Sequence, residues 1–178
     1  MATTKWIIDP THSEIGFKIK HLMITNVSGI FGKFTAEVET IGEDFQKASI
    51  NFTAEIASID TNNEQRDGHL QSADFFDAAK FPQIKFKSTN AEAPDENGNY
   101  ILNGDLTIRD VTKPVKLNVE FGGVAKDPYA NIKAGFTING KINRKDYGLV
   151  WNAPTEAGGL LVSEEVRLHA EVQFVKQQ

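Results

Sequence analysis

Hydrophobic and polar positions alternate with a period of two along most of this chain. Ile15, Phe17 and Ile19 alternate with Gly16, Lys18 and Lys20, and Ala48 to Ile56 alternate with Ser49, Asn51, Thr53 and Glu55. The same rhythm runs through 83–88, 132–142 and 166–174, and similar patterns through 33–39, 100–108 and 115–121. Such alternation predicts strands with one buried and one wet face. Strands of that kind belong to antiparallel sheets, because buried parallel strands read as continuous apolar runs. About eight strands are predicted, or nine with Trp6–Ile8. Asn97-Gly98 reads as a type I′ hairpin turn. Lys113-Pro114, Gly122-Gly123 and Gly158-Gly159 read as strand breakers.

One segment departs from the rhythm. Thr61-Asn62-Asn63-Glu64 has the form of a capping box, with Thr61 as the cap and Glu64 reaching back. It predicts a short helix to about Ser72, then a single turn over 74–79 ended by Phe81-Pro82, so the helical insertion lies near 62–79. Gly68 inside it costs about 1 kcal/mol relative to alanine, so tertiary contacts must help hold it.

Some eight antiparallel strands with one apolar face can form a sandwich or a closed barrel. Long single-sided strands, such as 132–142, favour an all-β, up-and-down antiparallel barrel whose lumen is the apolar side. An eight-stranded barrel is just wide enough to be filled by side chains or to hold one small ligand. Small inward residues such as Ala36, Ala54, Gly104, Ala134, Gly140 and Ala170 leave space, whereas twelve phenylalanines can fill it. The pattern alone leaves both readings open.

Composition narrows the class. The 178 residues suit a single domain, 1–178. Net charge is −5, spread as −3 over residues 1–89 and −2 over 90–178. Without a basic cluster, no nucleic-acid partner is expected. No apolar run exceeds three residues, as in Leu22-Met23-Ile24, so neither a membrane span nor stable membrane insertion is expected. The same absence of a long apolar run gives no export signal, which predicts a soluble, cytoplasmic protein. Zero cysteines excludes disulfides, thiolate metal sites and cysteine nucleophiles.

The ordered motifs bear a family resemblance. Asp9-Pro10-Thr11-His12-Ser13 followed by Ile15-x-Phe17-x-Ile19-x-His21 resembles the opening signature of the YceI-like polyisoprenoid-binding family. Ser58-Ile59-Asp60-Thr61, Arg66-Asp67-x-His69-Leu70-x-Ser72-x-Asp74-Phe75-Phe76 and Phe81-Pro82-x-Ile84-x-Phe86-x-Ser88 resemble its central signature. Gly104–Ile108, Val111–Val115, Asn143–Gly148 and the closing Val166-x-Leu168 strand also fit, so the likeness runs from about residue 5 to 175. It implies a lipocalin-like barrel with a helical insertion that binds a long apolar lipid: a polyisoprenoid, prenyl quinone or fatty amide. Many relatives are periplasmic, and this sequence departs from them in showing no signal peptide. No cofactor is implied beyond a polyisoprenoid or quinone held as ligand.

The inward phase assigns the lining to Phe17, Ile19, Phe34, Ile50, Phe52, Phe86, Leu106, Leu117, Ala134, Phe136, Leu168 and Ala170. A one-residue slip would invert any strand. His12 and Ser13 before the first long strand, with Arg66 and His69 on the helix, form a candidate head-group cluster if both segments cover one barrel end. Guanidinium donors suit phosphate or carbonyl oxygens. The bland alternative pairs Arg66 with Asp60 or Asp67 to pin the helix. The histidines 12, 21, 69 and 169 lack metal-motif spacing, so no metal is expected. Ser13 sits in no nucleophile elbow, so no catalytic residue is assigned. Arg144 with Asp146, and Asp105 with Arg109, read as structural ion pairs. The leading function is non-enzymatic carriage or sequestration of the lipid. The alternatives are an enzyme using the His/Arg cluster and a packed, ligand-free barrel. An extended barrel also leaves edges that a homodimer would cover.

Overall fold

The computed structural model describes residues 2–153 and 161–178. Its strands are β1 (Thr3–Ile8), β2 (Glu14–His21), β3 (Thr25–Phe31), β4 (Phe34–Ile41), β5 (Asp44–Glu55), β6 (Ile59–Asp60), β7 (Gln83–Ala91), β8 (Tyr100–Ile108), β9 (Val111–Lys126), β10 (Ile132–Asn143) and β11 (Val162–Lys176). One α-helix, α1 (Glu64–Gln71), follows β6, and 3-10 turns occupy Pro10–His12, Ile56–Ser58 and Arg144–Tyr147.

All ladders are antiparallel, and eight strands close a ring in the order β1-β4-β5-β7-β8-β9-β10-β11. The ring closes where β11 pairs back onto β1 through Trp6↔Lys176, Ile7↔Val175 and Ile8↔Phe174. The length of β11, 15 residues, makes this possible. One of its edges pairs with β10 from Glu165 to Val175. The other edge is shared: β1 takes the C-terminal part, and β2 the N-terminal part from Val162↔His21 to Glu171↔Glu14. β3 and β6 then extend the sheet beyond the ring.

Alternation converts directly into this architecture. In β4 every second residue, Phe34 to Thr40, is buried and the intervening ones are exposed. Trp6 is fully buried at one end of the barrel, where its indole N–H donates to Thr40 Oγ1 at 3.2 Å. The Thr40 hydroxyl donates onward to the Gly42 carbonyl at 2.5 Å, so both buried polar groups are satisfied.

Several local expectations change. The cap of α1 is Asn63, whose side chain accepts from the Arg66 N–H at 2.9 Å; Thr61 is instead a hub beneath the helix. Lys113-Pro114 lies inside β9, with Pro114 opposite Asp105, rather than ending a strand. Gly122 is an extra residue where the register passes from Gly135↔Gly123 to Phe136↔Phe121, so the glycine pair makes a bulge within β9. At Asn97-Gly98 only Gly98 takes a positive φ, +82°, so the turn is not type I′; the Asp95 carboxylate accepts from the Asn97 and Asn99 amides and holds it. Gly158-Gly159 lies outside the described residues. The alternation does not predict β3, because Thr25, Asn26, Ser28 and Gly29 dilute the apolar phase of Val27 and Phe31.

Candidate functional site

A cavity of about 420 Å³ occupies the lumen. Inward residues of ten strands wall it, among them Ile8, Ile15, Val27, Phe31, Val38, Phe45, Ile84, Ile108, Val119, Ile138 and Val172. Leu70 of α1 with Phe75, Phe76 and Trp151 also line it. The volume falls within the range of ordinary small-molecule sites, roughly 300–1,000 Å³.

Two glycines shape the wall. Phe17 lies across Gly29 on the neighbouring strand, and a Cβ at Gly29 would stand 2.4 Å from the ring. Phe86 lies across Gly104 in the same way, again at 2.4 Å. Both rings therefore fold flat against backbone rather than standing upright in the lumen. Small residues on the inward phase make room first for phenylalanine rings.

Ten of the twelve residues assigned by phase line the cavity: Phe17, Ile19, Ile50, Phe52, Phe86, Leu106, Leu117, Phe136, Leu168 and Ala170. Phe34 and Ala134 do not. Both have the inward phase and are buried, but they sit in the packed core, whose neighbours fill the space before them.

The head-group cluster divides. Arg66 and His69 line the cavity, whereas His12 and Ser13 do not. The turn at Pro10–His12 connects β1 to β2 at the Gln173–Phe174 level of β11. There Ser13 Oγ accepts from the Gln173 N–H at 3.0 Å, and exposed His12 pairs with Asp9 at 2.9 Å. Lys133 Nζ reaches the same Asp9 oxygen at 2.9 Å. That ammonium, above all, holds the Asp9 carboxyl well below its usual range and raises the lysine in return. His12 and Ser13 thus belong to a structural clamp that ties the β1–β2 turn to β10 and β11.

Arg66 forms no ion pair with Asp60 or Asp67. Its Nε donates to Thr61 Oγ1 at 2.8 Å and its Nη2 to the Thr61 carbonyl at 2.7 Å. The Thr61 amide and hydroxyl both donate to Asp67. His69 Nε2 meets Asp74 at 2.9 Å, and its ring packs edge-on against Trp151 and Phe75 with centroids 4.8 and 5.1 Å away. The helix is thereby fastened to the barrel end, with these side chains turned to the lumen.

The expected ion pair between Arg144 and Asp146 does not form; Arg144 is bonded to main-chain carbonyls instead. Its side chain is 2% exposed and borders the cavity. Nε donates to Ser163 O at 2.8 Å, Nη1 to Leu149 O at 2.6 Å and Trp151 O at 2.8 Å, and Nη2 to Val162 O at 3.3 Å. Among the described residues no carboxylate forms an ion pair with it, and burial draws its pKa down against the opposing pull of Glu164. Arg109, also read as an ion pair, donates to the Gly148 carbonyl at 3.1 Å and lies over the Phe81 ring. Sequence reasoning missed Arg144 as a cavity residue, as well as Phe45, Phe75, Phe76 and Leu149. Only aromatic density in Phe75-Phe76 hinted at their role.

The polar groups on the wall are Lys20, His21, Thr61, Arg66, Tyr100, Arg144, His69 and His169, and no Asp or Glu is among the described lining residues. Burial pushes the Tyr100 hydroxyl up to about 12, so it stays neutral. The site is a hydrocarbon tube whose ionisable groups are cations, imidazoles and a neutral phenol.

The match to known proteins spans nearly the whole chain. The family model of the YceI-like domain covers residues 6–174. A UPF0312 protein of Staphylococcus aureus (strain N315) is 37% identical over 172 residues, 96% of this chain and 97% of that one. The crystal structure of the Campylobacter jejuni YCEI protein superposes with a TM-score of 0.76 at 36% identity, covering 96% of each chain. A domain from Saccharophagus degradans, described as a polyisoprenoid binding domain implicated in plant cell wall breakdown, shares the fold, with a TM-score of 0.67 at 15% identity and 97% and 98% coverage. The ordered motifs, the closed eight-stranded ring with its β2–β3 arm and the helix over its end therefore agree: the chain belongs to the YceI-like family.

Proposed function

We propose that the protein binds a long apolar or amphipathic lipid in its lumen and carries or sequesters it. The lipid class is polyisoprenoid, prenyl quinone or fatty amide. The carrying observation is the cavity itself: a lumen of about 420 Å³ walled by aliphatic and aromatic side chains from almost every strand. Burying hydrocarbon releases about 0.8 kcal/mol per methylene, so a chain of many carbons binds without help from catalytic groups. The lining donors Arg66, His69 and Arg144, with no lining carboxylate, favour an oxygen-bearing head group that accepts hydrogen bonds. The Saccharophagus degradans domain of the same fold, described as polyisoprenoid binding, supports this class.

The enzymatic alternative relied on His12, Arg66 and His69 acting together. With His12 held in the β1–β2 clamp against Asp9, that cluster loses one of its three members. Carriage is the reading retained.

Native mass spectrometry of the protein reconstituted with a prenyl quinone, a polyprenol and a fatty amide tests this directly. One bound lipid per chain is expected for at least one class. Ala170→Trp fills the lumen and should lower occupancy at least tenfold while the far-ultraviolet spectrum is unchanged. Lack of binding by all three lipids, or full occupancy in folded Ala170→Trp, refutes the proposal.

A further inference from the structure

The β2–β3 hairpin carries a turn of unusual chemistry. Leu22 and Met23 both have positive φ, +53° and +60°, and the Ile24 N–H donates to the His21 carbonyl at 3.2 Å. Positive φ at both central residues is the hallmark of type I′ geometry, where asparagine and glycine are the usual occupants. Bulky side chains there strain the backbone. The strain does not serve burial: Leu22, Met23 and Ile24 are 41%, 56% and 77% exposed. The chain thus holds three large apolar side chains out in water on a strained tip.

The tip adjoins the lumen. Leu22 N–H donates to the Leu161 carbonyl at 2.8 Å, and Lys20, His21 and Leu161 all line the cavity. Between Glu14 and Glu37 the chain has no acidic residue, while Lys18 and Lys20 stand exposed on the arm. On β11, Glu164 pairs with Lys145 at 2.8 Å and Glu165 with Arg167 at 3.6 Å and Lys141 at 3.8 Å, so these acids of the neighbouring strand are matched by bases of their own.

We propose that this hairpin is a docking element for the surface of an anionic lipid bilayer. Leu22, Met23 and Ile24 insert at the head-group boundary while Lys18 and Lys20 contact lipid phosphates. The inference rests on the lipid-carrier reading, because it sets the lumen against the bilayer from which such a lipid would be drawn. A strained, exposed apolar tip at the lumen end, flanked by lysines and free of acids, suits a bilayer better than water or a protein groove.

The test uses vesicles of phosphatidylcholine with or without phosphatidylglycerol, the full chain, and the variants Leu22→Asn with Met23→Gly, and Ile24→Glu. The Asn-Gly pair suits the turn's backbone, so that variant should fold with a higher thermal midpoint. Vesicle partitioning should nevertheless fall about tenfold or more in both variants, because apolar surface is lost. The wild type should partition more strongly into vesicles containing phosphatidylglycerol, and added salt should weaken it. Binding of a fluorescent apolar probe in the lumen is followed in parallel without vesicles. Probe binding by a wild type that ignores vesicles refutes docking and leaves the carrier reading intact. Loss of both sinks both. Unchanged partitioning of the variants refutes docking, as does a wild type that dimerises through the tip in ultracentrifugation and shows no affinity for vesicles.

Discussion

Replacing Arg144 by methionine isolates the work of one buried guanidinium. Methionine keeps most of the stem's volume and deletes every donor. Four carbonyls lose a donor: Leu149, Trp151, Val162 and Ser163, of which Val162 keeps a bond from the Asn152 side-chain amide at 2.7 Å. The bond to Leu149 is fully buried and the other three are partly so. An orphaned buried acceptor costs about 1–3 kcal/mol, and a bond whose acceptor water can still reach about 0.5–1.5. With Val162 still bonded to Asn152, the other three acceptors sum to a gross loss of about 2–6 kcal/mol. Removing a desolvated charge returns part of it. A net destabilisation of about 1–4 kcal/mol is therefore expected, a large share of the stability of a domain this size. Arg144→Lys should recover less than half, since an ammonium cannot reproduce the planar fork that serves two separate stretches of chain. Urea denaturation with a common slope measures both variants. A loss below about 1 kcal/mol for Arg144→Met, or full rescue by lysine, would show that the carbonyl cage is not what holds the 144–152 segment against β11.

Three further outcomes follow from the same geometry. Gly104→Ala places a methyl 2.4 Å from the Phe86 ring and 2.7 Å from the Lys87 carbonyl oxygen, so the ring must swing into the lumen and the β7 backbone must shift; overpacking of this kind costs about 1–3 kcal/mol or more and should reduce lipid occupancy, measured by denaturation and native mass spectrometry. Because the folded Asp9 carboxyl lies below its unfolded value, its clamp with Lys133 contributes stability above about pH 4 that drains away as pH falls further; Asp9→Asn should flatten the acid limb of a stability–pH curve, and an unaltered limb would count against the clamp. Burial raises Tyr100 and Tyr147 to about 12, so they contribute stability below about pH 10 that is lost as pH climbs toward about 12; ultraviolet titration should show both ionising late and together with unfolding.

The barrel was legible in the sequence because period-two alternation is a direct imprint of a sheet with one buried face. Ten lining positions followed from phase alone. Depth along the lumen did not: Phe34 and Ala134 share the phase of true wall residues, and only three-dimensional filling separates them from the cavity. The head-group cluster was read as one site because His12-Ser13 and Arg66–His69 each flank a strand or helix end. Which end each segment reaches depends on β11 sharing one edge between β1 and β2, a pairing with no local signature. Arg144 escaped for a related reason, since its acceptors are main-chain carbonyls that no side-chain pattern reports.

The position of β11 also dictates when the molecule can exist. This last strand is the partner of β10, of β2 and of β1, the first strand. On the ribosome, β1 and the β2–β3 arm emerge early and wait unpaired along one edge for more than a hundred residues. Ring closure is therefore a late event joining opposite ends of the chain, and folding dominated by such distant pairings runs on the millisecond-to-second scale. Until then the apolar strand edges stand open to other chains. Loss of the final 17 residues would remove the seam that makes a tube out of a sheet.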